Sequence, residues 1–318
     1  MKKILVIQTA SIGDVILATP VIEKLHRFFG DAEIDLLVKK GNESLFKNHT
    51  FLHSVLIWDK TAKKKRNLFR LLSAIRSNRY DTVINLQRFA LTGLLTAFSG
   101  ARNRIGFSKN PFSFFFSMSI PHLIREGMHE TDRNLELIRA FTDDSTQKPR
   151  LYPTATDLAR TVVFKSGTYY TISPASLWFT KQYPTEKWVE FITHIDEKSS
   201  VFLLGSGMDV SLCEEIIKKS GHAKTDNLAG KLTFLESAAL MKDAKMNYTN
   251  DSAPMHLASS VNAPVTAIYC STIPGFGFGP LSDDQAIVEI KEKLYCRPCG
   301  LHGFKTCPEG HFKCAWEI

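Results

Sequence analysis

The chain has 318 residues, 44% hydrophobic and 23% charged, with a formal net charge of +8. That composition excludes a disordered chain and leaves room for two ordinary domains. No apolar run approaches the ~18 residues of a membrane span, and the positive excess points to an anionic partner: a phosphorylated ligand, an acidic membrane surface or nucleic acid.

Residues 2–9 read as an apolar strand followed by the turn Ala10-Ser11-Ile12-Gly13-Asp14. A short apolar run that enters a Gly-Asp turn with no small-residue cleavage site is a first strand rather than a signal peptide, so a cytoplasmic location is expected. A helix follows, with Val15, Ile16, Ala18, Val21, Ile22 and Leu25 on its buried side. Strand, glycine turn and helix open a doubly wound α/β domain, whose ligands gather at the carboxyl ends of the strands. The absence of Gly-x-Gly-x-x-Gly argues against a dinucleotide cofactor.

Strand-like runs recur at 33–38, 55–58 and 82–86, with a helix over 67–77 marked by Leu68, Leu71, Leu72 and Ile75. This alternation predicts a parallel sheet covered on both faces. Two stretches read as surface features. Lys60, Lys63, Lys64, Lys65 and Arg66 form a basic cluster; Phe112, Phe114, Phe115, Phe116 and Met118 form an apolar one between Lys109 and Arg125. Together they suit an anionic bilayer, or else a solvated loop and core phenylalanines. A helix from His129-Glu130 to about 141 closes the half.

Residues 143–168, with Pro149 and Pro153, read as irregular, and the domain boundary is placed there. The expected division is 1–150, 151–295 and a Cys-rich tail, 296–318. The second half repeats the alternation: strand 169–173, helix 186–197, strand 201–204, the turn Gly205-Ser206-Gly207 and helix 209–219. Two α/β domains of similar size predict a cleft between them for the substrate.

The central stretch is Thr249-Asn250-Asp251-Ser252-Ala253-Pro254-Met255-His256. A short apolar strand precedes it, a helix over 255–261 follows, and 264–269 reads as a buried strand. Asp-Ser before a proline is the pattern of a capped helix start, whose free amides and dipole suit an anion. Either these amides and Ser252 hold a diphosphate with His256 a turn further in, or this is an ordinary capped helix.

Four of the six cysteines, Cys296, Cys299, Cys307 and Cys314, crowd the last 23 residues with His302 and His311. Such spacing suits either a structural zinc ion or a compact reduced tail. Zinc-finger His pairs, RNP-like aromatics and basic heptad helices are all missing, so nucleic acid is not expected.

Taken in order, several of these segments resemble glycosyltransferase family nine, the ADP-heptose:lipopolysaccharide heptosyltransferases. They are Ser11-Ile12-Gly13-Asp14 with Val15 to Pro20, Arg104-Ile105-Gly106-Phe107, His129-Glu130, and Thr180-Lys181-Gln182-Tyr183-Pro184 with Lys187-Trp188. Leu203-Leu204-Gly205, Asn250 to Ala258, Gly279-Pro280, Cys296-Arg297-Pro298-Cys299 and Cys307-Pro308 complete the series. Each motif alone is weak; the ordered set covers nearly the whole chain.

The resemblance implies a GT-B fold: two Rossmann-like domains facing across a cleft, the acceptor on the first and the nucleotide sugar on the second. It implies inverting transfer of a heptose from ADP-heptose to the lipopolysaccharide inner core, on a lipid A-anchored acceptor, by a protein peripheral to the inner membrane. Asp14 takes the position of the general base, with Ser11 and Gly13 on the acceptor side. Lys181 falls near the donor phosphates, and Asp251, Ser252, Ala253 and His256 form the donor turn. Ala253 stands where the family usually has glycine, and Tyr183 where it more often has tryptophan. Ser206, with Met208, is placed at the nucleotide pocket. No Asp-x-Asp pair is present to hold Mg²⁺ or Mn²⁺, so no cofactor is expected for the chemistry. Another nucleotide sugar as donor, an epimerase, and a non-catalytic binding protein on the same scaffold are the competing readings.

Overall fold

The computed structural model describes residues 2–61, 64–125 and 127–318, without the side chains of Lys64 and Lys65. The chain forms two compact units, Met1–Tyr152 and Pro153–Ile318.

The first unit runs β1 (Lys3–Ile7), α1 (Ile12–Ile16), α2 (Thr19–Phe28), β2 (Glu33–Lys39), β3 (Ser54–Trp58) and α3 (Lys64–Asn78). It continues with β4 (Thr82–Asn85), α4 (Ala90–Ala97), β5 (Asn103–Phe107), β6 (Met118–Ile120) and α5 (Glu130–Glu136). Its sheet is parallel throughout, in the order β3-β2-β1-β4-β5-β6. Consecutive residues of a strand point to opposite faces. Leu5 and Ile7 pack with Leu68, Leu71 and Ile75 of α3, and Ile4 and Val6 are buried as well. Both faces of β1 are therefore covered, as a parallel sheet requires.

The second unit begins with α6 (Ala155–Thr161), β7 (Tyr169–Ser173), α7 (Thr185–Thr193), β8 (Ser200–Leu203), α8 (Val210–Ser220) and β9 (Thr225–Asn227). Then come α9 (Phe234–Lys242), β10 (Met246–Asn250), α10 (Ala253–Ser260), β11 (Val265–Tyr269), β12 (Gln285–Glu289) and α11 (Lys313–Trp316). Its parallel order is β12-β11-β10-β7-β8-β9. Phe312, Cys314 and Ala315 of the tail pack with Trp188, Ile192 and Cys213, so the tail shares the second unit's core.

Four expectations need correction. The helix expected over 186–197 ends at Thr193, because Asp196 turns the chain by accepting from the Lys198 (2.9 Å) and Ser199 (2.8 Å) amides. The helix expected to run unbroken from the Gly-Asp turn is two helices, because Pro20 in the first turn of α2 starts a new one. The helix after His129 ends at Glu136, and a 3-10 turn follows at Arg139–Phe141. The segment 143–168 is not wholly irregular. Thr154 accepts from the Asp157 amide (3.3 Å) while Asp157 accepts from the Thr154 amide (2.7 Å), a capping box that starts α6. Most of α6 is exposed, so no apolar stripe announces it.

Candidate active site

In the first unit β1 lies between β2 and β4, where the strand order reverses, and the turn after β1 occupies the carboxyl edge at that point. Ser11 caps α1. Its amide (3.1 Å) and its hydroxyl both donate to Asp14 Oδ2, which fixes that carboxylate at the edge. Ser11 is exposed and Asp14 half-buried. Gly13 is buried within α1, its carbonyl accepting from the Leu17 amide (2.9 Å). Asp14 thus has a capping contact with Ser11 besides any chemical task.

Polar groups of neighbouring strands gather at the same edge. Thr9 donates to Gln87 Oε1 across the β1–β4 switch (2.6 Å). Lys60 Nζ donates to the Thr9 carbonyl (2.9 Å) and hydroxyl (2.8 Å) while lying 4.7 Å from the Trp58 ring centroid. Asn42 holds the Ala10 carbonyl (3.1 Å). Lys60 therefore leaves the expected surface cluster and joins the β1 edge. Lys63 lies outside the described residues, as do the Lys64 and Lys65 side chains. Only the tertiary register of β1, β3 and β4 reveals this set; no local pattern links Thr9, Lys60 and Gln87.

His129 caps α5, accepting from the Thr131 amide (3.1 Å). Burial pushes the Glu130 carboxyl up, but the His122 contact (3.8 Å) and Arg133 (2.7 Å) outweigh it and hold the pKa below the ordinary value.

In the second unit the switch falls between β10 and β8, which flank β7. Asn250, fully buried at the end of β10, donates to the Pro174 carbonyl (2.8 Å) and accepts from the Tyr183 amide (2.9 Å), tying three segments together. Next to it, Asp251 Oδ2 receives both the Lys181 ammonium (2.6 Å) and the Thr272 hydroxyl (2.6 Å). The Lys181 side chain is only 14% exposed, so this is no loose surface lysine. Ser252 caps α10 in extended conformation, yet its side chain makes no cap hydrogen bond. Its Oγ lies 3.4 Å from the Asn250 carbonyl instead; of the first-turn positions, Pro254 has no N–H and the Met255 amide donates to the Ser252 carbonyl (3.1 Å). Ala253 opens α10, and His256 is buried on it. The positive end of α10 thus adjoins a Lys181 ammonium that is paired with Asp251.

Ser206 stands at the carboxyl end of β8, exposed, its hydroxyl donating to Asp209 (2.7 Å) and accepting from the Met208 amide (3.3 Å). It belongs to the same edge but is engaged in its own capping box.

The tail has a role that its cysteines alone did not disclose. Lys181 ends the 3-10 turn Phe179–Lys181. That turn is pinned by Thr180: its amide donates to the Phe304 carbonyl (3.1 Å), and its hydroxyl accepts from the Phe304 amide (2.8 Å). Gly303, at φ +76°, lies so close that a Cβ there would meet Thr180 Oγ1 at 2.9 Å and Lys181 Cγ at 3.0 Å. Arg297 reaches the Thr272 carbonyl (2.7 Å) and Glu289 (2.6 Å). The tail thus buttresses both groups that grip Asp251.

Cys296, Cys299, Cys307 and Cys314 line one pocket of about 320 Å³ with His311. Burial pushes the Cys314 thiol up to about 12, with Cys299 and Cys307 adding to the shift, so it is protonated at neutral pH. Cys296 Sγ lies 3.9 Å from His311 Nε2. Among the described residues no three His, Cys, Asp or Glu side chains stand together as metal ligands.

Two parallel Rossmann-like units, each with polar groups on the carboxyl edge at its switch point, are the GT-B architecture. Solved structures share the fold. The glycosyl transferase family 9 protein of Veillonella parvula DSM 2008 matches at TM-score 0.82, with 22% identity over 90% of this chain and 85% of that one. The E. coli ADP-heptose lps heptosyltransferase II matches at 0.78, with 20% identity over 98% and 97%. A family model, glycosyltransferase family 9 (heptosyltransferase), matches residues 68–307, and the chain belongs to that family. A lipopolysaccharide heptosyltransferase 3 of Escherichia coli is 29% identical over 275 residues, covering 82% of this chain and 81% of the relative.

Proposed function

We propose that this chain is an inverting, metal-independent heptosyltransferase that moves a heptose from ADP-heptose to the inner core of lipopolysaccharide. The donor and acceptor classes follow the names of the relatives; the observation that carries the reading is the Lys181–Asp251 pair at the start of α10.

In this reading the acceptor hydroxyl attacks the anomeric carbon as the bond from that carbon to the diphosphate oxygen breaks. Asp14 takes the hydroxyl proton, a task open to a carboxylate fixed in orientation by Ser11. The departing ADP carries away the bonding electron pair. Its growing negative charge is met by the Lys181 ammonium and the positive end of α10, a fixed field that need not reorganise. Asp251 and Thr272 hold Lys181 in place, Ser252 and Ala253 border the diphosphate, and His256 supports the turn from within α10. Ser206 borders the nucleotide, and Ser11 and Gly13 border the acceptor. The protein works as a peripheral enzyme at the cytoplasmic face of the inner membrane; among the described residues no helix is long and apolar enough to cross a membrane.

The test incubates the protein, with and without EDTA, with ADP-heptose and a lipopolysaccharide core acceptor, following ADP release, acceptor mass and anomeric configuration. Wild type adds one heptose with inversion, and EDTA leaves the rate unchanged. Asp14→Asn, which keeps an oxygen for Ser11, lowers turnover by about 10²–10⁴ with ADP affinity unchanged. Undiminished turnover in that variant removes Asp14 as base, and transfer from a different nucleotide sugar alone replaces the named donor.

A further inference from the structure

The chain's positive charge is concentrated in one region. Between Lys60 and Arg125 there are thirteen Lys and Arg against a single acidic residue, Asp81, a net +12; the remaining residues together carry −4. Asp81 is committed to the backbone amides of Lys2 (2.8 Å) and Lys3 (3.0 Å) at the opposite end of β4 from the candidate site. Part of this charge, Arg76 and Arg104, lies against a group of exposed aromatic rings. Phe98, at the end of α4, has its ring 6.4 Å from that of Phe112 and 5.9 Å from that of Phe115; Phe114 follows at 5.7 Å from Phe115. Phe114 is 91% exposed, Phe115 50% and Phe98 43%. Contacts join the rings to the cations: Arg76 of α3 donates to the Phe98 carbonyl (3.3 Å) and Arg104 to the Phe115 carbonyl (3.0 Å). Arg70, Arg102 and Lys109 are exposed. Phe114 is held against Phe115 and leaves nearly all of its surface in water.

We infer that this aromatic cap on the first unit, formed by Phe98, Phe112, Phe114 and Phe115 within its basic rim, docks on an anionic lipid bilayer. Aromatic side chains favour the water–lipid interface, and basic groups around them are drawn to anionic headgroups. A second copy of the chain is disfavoured on this face, since it would set like charges against each other. Single-stranded nucleic acid is disfavoured too, because the rings meet one another in tilted and edge contacts rather than standing apart as platforms for successive bases. The inference rests on the membrane-side reading of the function and names the surface that performs it.

The experiment is co-sedimentation with phosphatidylcholine vesicles, with and without 30% phosphatidylglycerol, at low and high salt. Wild type should bind the anionic vesicles about tenfold more strongly than the neutral ones, and high salt should weaken that preference. Phe114→Ser with Phe115→Ser should reduce binding about tenfold, and Arg70→Glu with Lys109→Glu should abolish the preference for phosphatidylglycerol. Both variants should keep the wild-type melting temperature and turn over a deacylated, water-soluble core acceptor at the wild-type rate. Equal vesicle binding by wild type and both variants overturns the inference. So does a dimer that dissociates only in the phenylalanine variant, or oligonucleotide binding stronger than vesicle binding. The soluble-acceptor assay reads the chemistry separately, so loss of transfer there with intact vesicle binding would sink the catalytic reading and leave the docking surface standing.

Discussion

At the scale of single residues, Lys181 and Asp251 state the problem most sharply, because the cation proposed for the diphosphate is already paired. A buried ion pair stabilises little by itself, yet removing one partner leaves a costly buried charge. Lys181→Ala should therefore lower the unfolding free energy by about 3 kcal/mol and weaken ADP binding about tenfold or more. Asp251→Asn separates the two effects. It keeps the shape and the Thr272 contact while removing a negative charge from the diphosphate's surroundings, so ADP affinity should hold or rise. Titration calorimetry with ADP on both variants decides the matter: equal losses would mean that the pair is only a brace. Lys181 was legible as a candidate from its motif. Thr272, 21 residues from Asp251, was not, since nothing local connects them.

At the scale of elements, helix starts carry much of the organisation. Ser11 and Asp14, His129 and Asp132, Ser206 and Asp209, and Thr233 and Glu236 each form reciprocal caps. In three of the four a Ser or Thr is followed three residues later by an acid. α2 shows what the pattern hides. Lys24, only 1% exposed, donates to the Asp143 (2.7 Å) and Ser145 (2.6 Å) carbonyls and pairs with the Asp143 carboxylate (2.7 Å), closing the end of the unit onto α2. The Lys24 contact, with help from Ser145, holds the Asp143 carboxyl down to about 2. A depressed carboxyl stabilises the fold above its ordinary pKa of about 4 and loses that contribution as pH falls toward 2. The urea midpoint of Lys24→Met should be lower than that of wild type at pH 7, and the gap should narrow between pH 4 and pH 2. A constant gap would show that Asp143 is not what Lys24 stabilises.

At the scale of the whole molecule, the tail is the element whose meaning changed. Its cysteines suited either a structural metal or a compact reduced tail, and the structure adds a further role, that of a brace: Phe304 holds Thr180, and Gly303 leaves no room beside Lys181. Gly303→Ala would put a Cβ into that contact at a left-handed φ, at a cost of about 1–2 kcal/mol. The expected result is lower stability together with weaker ADP binding, although residue 303 lies far along the chain from 181. Unchanged ADP affinity would confine the tail to the core around Trp188 and Phe312.

The alternation of apolar runs and glycine turns by itself determined the doubly wound character of both halves, because strands buried on both faces are mostly apolar; β10, with Asn247, Thr249 and Asn250 fully buried, is an exception. The Ser11–Asp14 and Asn250–Ser252 turns were readable for the same kind of reason: caps and helix starts are local chemistry. Short or exposed elements such as α6, β6 and β9 escaped, since a few residues with no buried stripe leave no periodicity to read. Tertiary structure alone decided that Lys60 turns to Thr9, that Asn250 ties Tyr183 to Pro174, and that Gly303 abuts Lys181. Those contacts depend on strand order and register, which bring together residues that chain distance keeps apart.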